Sequence, residues 1–308
     1  MQALYAFFQT GENNLPAAEK QLIRNIDRIE ELYIWQLSFL VELFTFFRHR
    51  ADEAKQKYLP TDEDLHPSTH FIDNKLVALL EKNHDFQAQC QRFKINWADE
   101  RETFRKFYND IRAGEMYQKY MQDSKISFED DRNILIKLIR NHLFPSEMLQ
   151  SFFEEKNIHW ADDFDVAMLM VMKTFKSFNP EQEPSMPLPS FYESEEVELQ
   201  DKEYARELMR KAIIHSSAYD EIIAEKAKNW ELERIAMLDV ILLKMAIAEL
   251  LQFPSIPVKV TINEYIDISK QYSTPKSKMF INGILDKLTI EFRKENKIKK
   301  TGRGLIEK

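Results

Sequence analysis

Lys276 and Lys278 offer the most evident chemistry in this chain, because of what precedes them. Ser273 or Thr274 can cap a helix whose first position is Pro275. Both lysines then fall in its first turn, where the helix dipole favours acids. Two ammonium groups beside open helix N–H groups form a combination that receives phosphate; the plainer reading is two surface lysines. Other reactive residue types lack a pattern that would use them. His66 and His70 are four residues apart, but Pro67 lies between them, so they share no helical face for a metal. The acid pairs Glu154–Glu155 and Asp162–Asp163 have no surrounding signature of general acid–base work. Ser216–Ser217 follows His215 without a nucleophile-elbow context. Cys90 has no histidine nearby in sequence and reads as a small apolar residue.

Composition excludes further classes. Only five glycines occur in 308 residues, well below the usual frequency of about 7%. They stand apart at Gly11, Gly114, Gly283, Gly302 and Gly304, so no P-loop or dinucleotide fingerprint can be written. The single cysteine excludes a disulfide framework and a cysteine zinc site and suits the cytoplasm. No apolar run reaches the roughly 18 residues of a spanning helix, and no secretory signal opens the chain. Neither a cofactor nor a metal is expected, nor a membrane association. The net charge of −8 conceals a split: residues 1–200 carry −12 and residues 201–308 carry +4. A basic region joined to an acidic one is a weak nucleic-acid signal; a solvated helical surface with a lysine-rich tail is the commoner origin of such a split.

The elements that must position these residues are helices, and the fold class read from the sequence is all-α, a multi-helix bundle. Leu22, Ile26, Ile29 and Tyr33 recur on one helical face. Leu32 to Phe47 is apolar nearly all round, interrupted by Gln36, Ser38, Glu42 and Thr45, as in a helix buried within a bundle. Further helical runs cover about 71–121, 129–142, 146–156, 162–178, 201–227, 230–252, 258–272 and 276–298. Pro254 and Pro257 separate two of them, with Pro257 set for a first turn. Four prolines and a run of acids between Asn179 and Gln200 form a flexible or wrapping linker. The expected division is therefore an acidic helical region (1–178), a linker (179–200), a helical domain (201–298) and a flexible basic tail (299–308). Segments 131–160 and 201–230 align without a gap at 7 of 30 positions, among them Asp131/Asp201, Arg140/Arg210 and Trp160/Trp230. That is either a duplicated helical unit or the common composition of amphipathic helices.

The stretch Trp230–Leu288 carries a resemblance. Leu238, Asp239, Leu242, Leu243, Lys244, Glu249, Leu250, Leu251, Ile256, Pro257, Ile262, Asn263, Glu264, Ser277, Lys278 and Phe280 to Lys287 occur in order and spacing, preceded by Tyr204 to Ile213. This arrangement resembles the NusB family of transcription antitermination factors. Met1 to Gln9 is similar to the family's first helix, so the likeness covers about the last 105 residues and the first dozen (1–12). The resemblance implies an all-helical, non-catalytic RNA-binding protein. It would bind boxA-type RNA with the small-subunit ribosomal protein NusE, within the transcription elongation complex, during rRNA transcription. It places RNA contacts at Gln2 and Tyr5 of the first motif and at Lys276, Ser277, Lys278 and Phe280 of the last. The lysines would meet phosphates and Tyr5 a base. Partner contacts would fall at Asp239, Lys244 and Glu249.

The chain departs from the family in two ways. The arginine-rich segment usual before the first motif is not present ahead of Met1, which implies either a trimmed start or weaker electrostatic binding. About 190 acidic, aromatic-rich residues separate the two matching parts. The same module resembles part of certain rRNA cytosine methyltransferases, but their glycine-rich α/β domain and catalytic cysteine motif are missing. The alternative function is a helical protein-interaction scaffold that has lost RNA binding.

Overall fold

Residues 1–11, 13–56, 58, 68–123, 125–227 and 235–306 are described by a computed structural model. They contain helices and no strand, so the chain is all-α as its periodicity predicts. Helix α1 spans Gln2–Thr10 and α2 spans Leu15–Lys55. Then come α3 (Lys75–Lys82), α4 (His84–Arg92), α5 (Arg101–Ala113), α6 (Glu115–Gln122), α7 (Phe128–Leu138), α8 (Glu147–Lys156) and α9 (Phe164–Ser177). The last five are α10 (Glu195–Ile214), α11 (Ser216–Lys226), α12 (Met237–Gln252), α13 (Val258–Tyr272) and α14 (Ser277–Lys294). No described helix is long and apolar enough to cross a membrane. The chain forms two compact units: a terminal one of Met1–Ile26 with Ser194–Lys308, and a central one of Asp27–Glu193. The boundary after Ile26 falls within α2. Ala18 and Leu22 of this helix belong to the core of the terminal unit, while Ile29 and the apolar residues from Leu32 onward belong to the core of the central unit.

In the terminal unit, α12 is the central element. Its residues Ile241 to Leu250 are all buried, as a helix apolar on every face must be. Helices α1, α10, α11, α13 and α14 pack against it. Leu4, Leu208, Met209, Tyr219, Leu242, Tyr265, Phe280, Ile284, Leu288 and Phe292 fill the space between them. Pro257 is the N-cap of α13 rather than its first-turn residue, one position earlier than the sequence suggests. Residues 228–234, including Trp230, lie outside the described residues, and the helix expected from 230 is seen from Met237. The expected flexible tail is docked over residues 299–306. Asn296, with φ of 53°, turns the chain after α14. Lys300 Nζ then donates to the carbonyls of Phe253 at 2.9 Å and Glu249 at 3.3 Å, and Thr301 N–H donates to Pro254 O at 2.9 Å. A cation at the last carbonyls of α12 complements the helix dipole and gives this lysine-rich segment a place to dock.

In the central unit, the apolar part of α2 is surrounded as its composition requires. Gln36 donates to Phe164 O at 3.1 Å, and Ser38 accepts from Trp97 Nε1 at 3.0 Å, so two of the polar interruptions make bonds within the core, with Gln36 Oε1 left unbonded among the described residues. Trp35, Phe39, Trp97, Phe104, Phe153 and Trp160 form a continuous aromatic cluster around it. The run expected over 71–121 is four helices. Asn74 and Asn83 cap α3 and α4 with their side-chain oxygens, and Asn83 ends one helix as it starts the next. The proline-rich segment wraps onto this unit: Pro184 O accepts from His84 N–H at 2.8 Å, Met186 O from the Asn83 side chain at 2.7 Å, and Phe191 meets the Tyr33 ring edge-on. An offset of 70 residues lays α8 onto α11, which end at Lys156 and Lys226, but α7 closes in a π-helical turn where α10 continues unbroken.

Candidate nucleic-acid interface

The turn between α13 and α14 presents both lysines. Ser273 leaves α13 in an extended conformation, and Ser277 N–H returns to Thr274 O at 2.9 Å. Helix α14 thus begins at Ser277, with Lys276 as its N-cap, later than a Ser273 or Thr274 cap would give. Lys276 and Lys278 are exposed, and neither has an ion pair among the described residues. The N–H groups of Ser277, Met279 and Phe280 are bonded to Thr274 O and Lys276 O. Those amides are therefore taken up within the chain, and the groups this end offers to an anion are the two ammoniums. Lys287 and Lys294 are exposed further along α14.

Two residues expected to touch RNA are internal. Phe280 is 4% exposed and packs into the core of the terminal unit, so it has no face for a base. Ser277 is buried, and its hydroxyl accepts from Thr274 N–H at 3.2 Å and bonds to the Ser273 and Thr274 hydroxyls at 2.9 Å each. Gln2 and Tyr5 are exposed on α1, Tyr5 at 40%. Leu4 anchors that helix in the core, and α1, like α14, packs on α12.

The three residues expected to contact a partner are also internal. Asp239 is 4% exposed and accepts from the Ser273 hydroxyl at 2.5 Å. Lys244, 7% exposed, bonds Asp220 at 2.8 Å and Ser216 at 2.7 Å and lies over the Phe8 ring. Glu249 is buried and accepts from the hydroxyls of Tyr204 and Tyr265. Burial raises the pKa of both tyrosines, and the Glu249 carboxylate raises it further. Burial lowers that of Lys300, with Glu249 acting in the opposite sense. A charged group is tolerated inside only when bonded, and these are all bonded to their own chain. The signal for this burial is the composition of α12: a charge on a helix apolar all round has no solvent face to occupy. Among the described residues no group of three His, Cys, Asp or Glu side chains could hold a metal; His66 lies outside them.

The terminal unit is thus an all-helical module built around one buried helix, with two exposed lysines at the start of its last helix. The profile of the NusB family matches residues 165–289. A Salinibacter ruber protein named Transcription antitermination protein NusB is 44% identical over 105 residues, which cover 34% of this chain and 66% of that protein. Proteins of the same name from Chloroherpeton thalassium and Dictyoglomus turgidum are 40% and 38% identical over 111 and 104 residues. Those matches cover 36% and 34% of this chain and 53% and 70% of the two proteins, so the chain spans from about half to somewhat over two thirds of the length of these relatives. No solved structure gives a significant match. The chain belongs to the NusB family.

Proposed function

We propose that this protein is an RNA-binding transcription antitermination factor. It binds boxA-type RNA together with NusE during rRNA transcription, and its contribution is recognition rather than catalysis. The observation that carries this reading is the pair Lys276 and Lys278, exposed at the start of α14 with no carboxylate partner among the described residues. That position is unfavourable for cations unless an anion meets them. The names of the three relatives support it, as does the exposure of Gln2 and Tyr5, a donor and an aromatic ring suited to an unstacked base.

The test is binding of boxA and scrambled RNA by fluorescence anisotropy at two salt concentrations, with and without NusE. Binding should be weak alone, tighter with NusE, and selective for boxA. Lys276→Glu with Lys278→Glu should weaken it and reduce the slope of log K against log salt by about 1.4, counting about 0.7 for each phosphate of a single strand. Equal binding of both RNAs in every condition would leave the interaction scaffold as the function.

A further inference from the structure

We infer that Asp239 is a positioning residue for the RNA-facing lysines, an assignment that rests on the RNA-binding reading above. Its carboxylate lies in the first turn of α12, buried, and far in sequence from the turn it supports. The Ser273 hydroxyl donates to Asp239 Oδ1 at 2.5 Å. Ser273 Oγ is 2.9 Å from Ser277 Oγ, which is 2.9 Å from Thr274 Oγ1 and accepts from Thr274 N–H at 3.2 Å. Three hydroxyls thus join one buried carboxylate to both ends of the segment that holds Lys276. Lys278 comes directly after Ser277.

The electrostatics agree with the geometry. A helix N-terminus carrying two lysines and no acid in its first turn is repelled by its own dipole. A buried carboxylate connected to that turn eases only part of this repulsion, since it pairs with neither lysine, and it leaves free the surface where RNA would lie. The lysines remain outward and without an ion pair among the described residues, while the backbone beneath them is held. Thr274 and Pro275 are both exposed, so the turn is held from its interior side, through the hydroxyls that reach Asp239.

The experiment compares Asp239→Ala, Asp239→Asn and Ser273→Ala in the full chain, by hydrogen exchange and by boxA binding well below the melting temperature. Asp239→Ala and Ser273→Ala should speed amide exchange over residues 274–280, with exchange in the middle of α12 unchanged. They should weaken RNA binding about tenfold, as loss of up to two oriented phosphate contacts implies. Asp239→Asn keeps an acceptor for Ser273 and should recover most of both effects. Unchanged exchange over 274–280 in Asp239→Ala and Ser273→Ala overturns the assignment, whatever the RNA does. Faster exchange there in a chain whose native form does not select boxA would sustain the anchoring of the turn and defeat the RNA reading instead. Faster exchange with undiminished selective binding overturns the positioning role.

Discussion

Gly304→Ala should undock the C-terminal segment and destabilise the terminal unit. A Cβ on Gly304 would stand 2.0 Å from the Pro254 carbonyl oxygen and 3.2 Å from the Ser255 carbonyl carbon. Both are backbone atoms, so no side chain can rotate away and the segment must lift. Lifting it breaks the Thr301 N–H bond to Pro254 O and the two Lys300 bonds to the carbonyls that end α12. A neutral hydrogen bond contributes about 1 kcal/mol and one to a charged group about 1.5–3. Lys300 is half-buried, and the released residues regain backbone freedom, so the net loss is about 2 kcal/mol. For a unit of this size that lowers Tm by roughly 6–8 °C. Scanning calorimetry of the full chain measures it, alongside Lys300→Met and the double variant. The two substitutions act through one docking event, so their losses should not add. A Gly304→Ala protein melting within about 1 °C of the parent, or strictly additive losses, would refute the docking.

Asn74 is fully buried, caps α3 and donates to Asp131 O at 3.0 Å; Asn74→Ala should destabilise the central unit by about 1–3 kcal/mol, seen as a lower urea midpoint. Alkali should unfold the terminal unit. Burial pushes Tyr219 up to about 12 and raises Tyr265 as well. Their contribution is complete below the unfolded value of about 10 and is lost as pH rises through the folded values. Equal urea midpoints at about pH 9 and about pH 11 would contradict this. Tyr219→Phe should leave neutral stability unchanged and flatten the alkaline loss, because its buried hydroxyl has no partner among the described residues; a clear loss at neutral pH would show that the hydroxyl is bonded after all.

Much of the fold is legible in the residues themselves. Apolar spacing is a local property, and it places α2, α9, α12, α13 and α14 close to where they are found. Breaks within the 71–121 run are less visible, because Asn74 and Asn83 act as caps only when their side chains turn back on the following amides. The candidate site divides in the same way. Lys276, Lys278, Gln2 and Tyr5 stand on the surface, consistent with their polarity or amphipathic form. Phe280, Ser277, Asp239, Lys244 and Glu249 belong to recognisable family positions, yet their type does not say whether they face solvent or a bonded partner within the chain.

The order of residues dictates an all-helical chain, its family, and the place where two lysines meet a helix start, since periodicity, composition and motif spacing are carried along the chain. Which charges are interior depends instead on how the helices close on one another. Asp239 and Ser273 are 34 residues apart, and Glu249 and Lys300 are 51 apart. Such groups meet because α13, α14 and the segment after them return to α12, and burial then makes each partner obligatory.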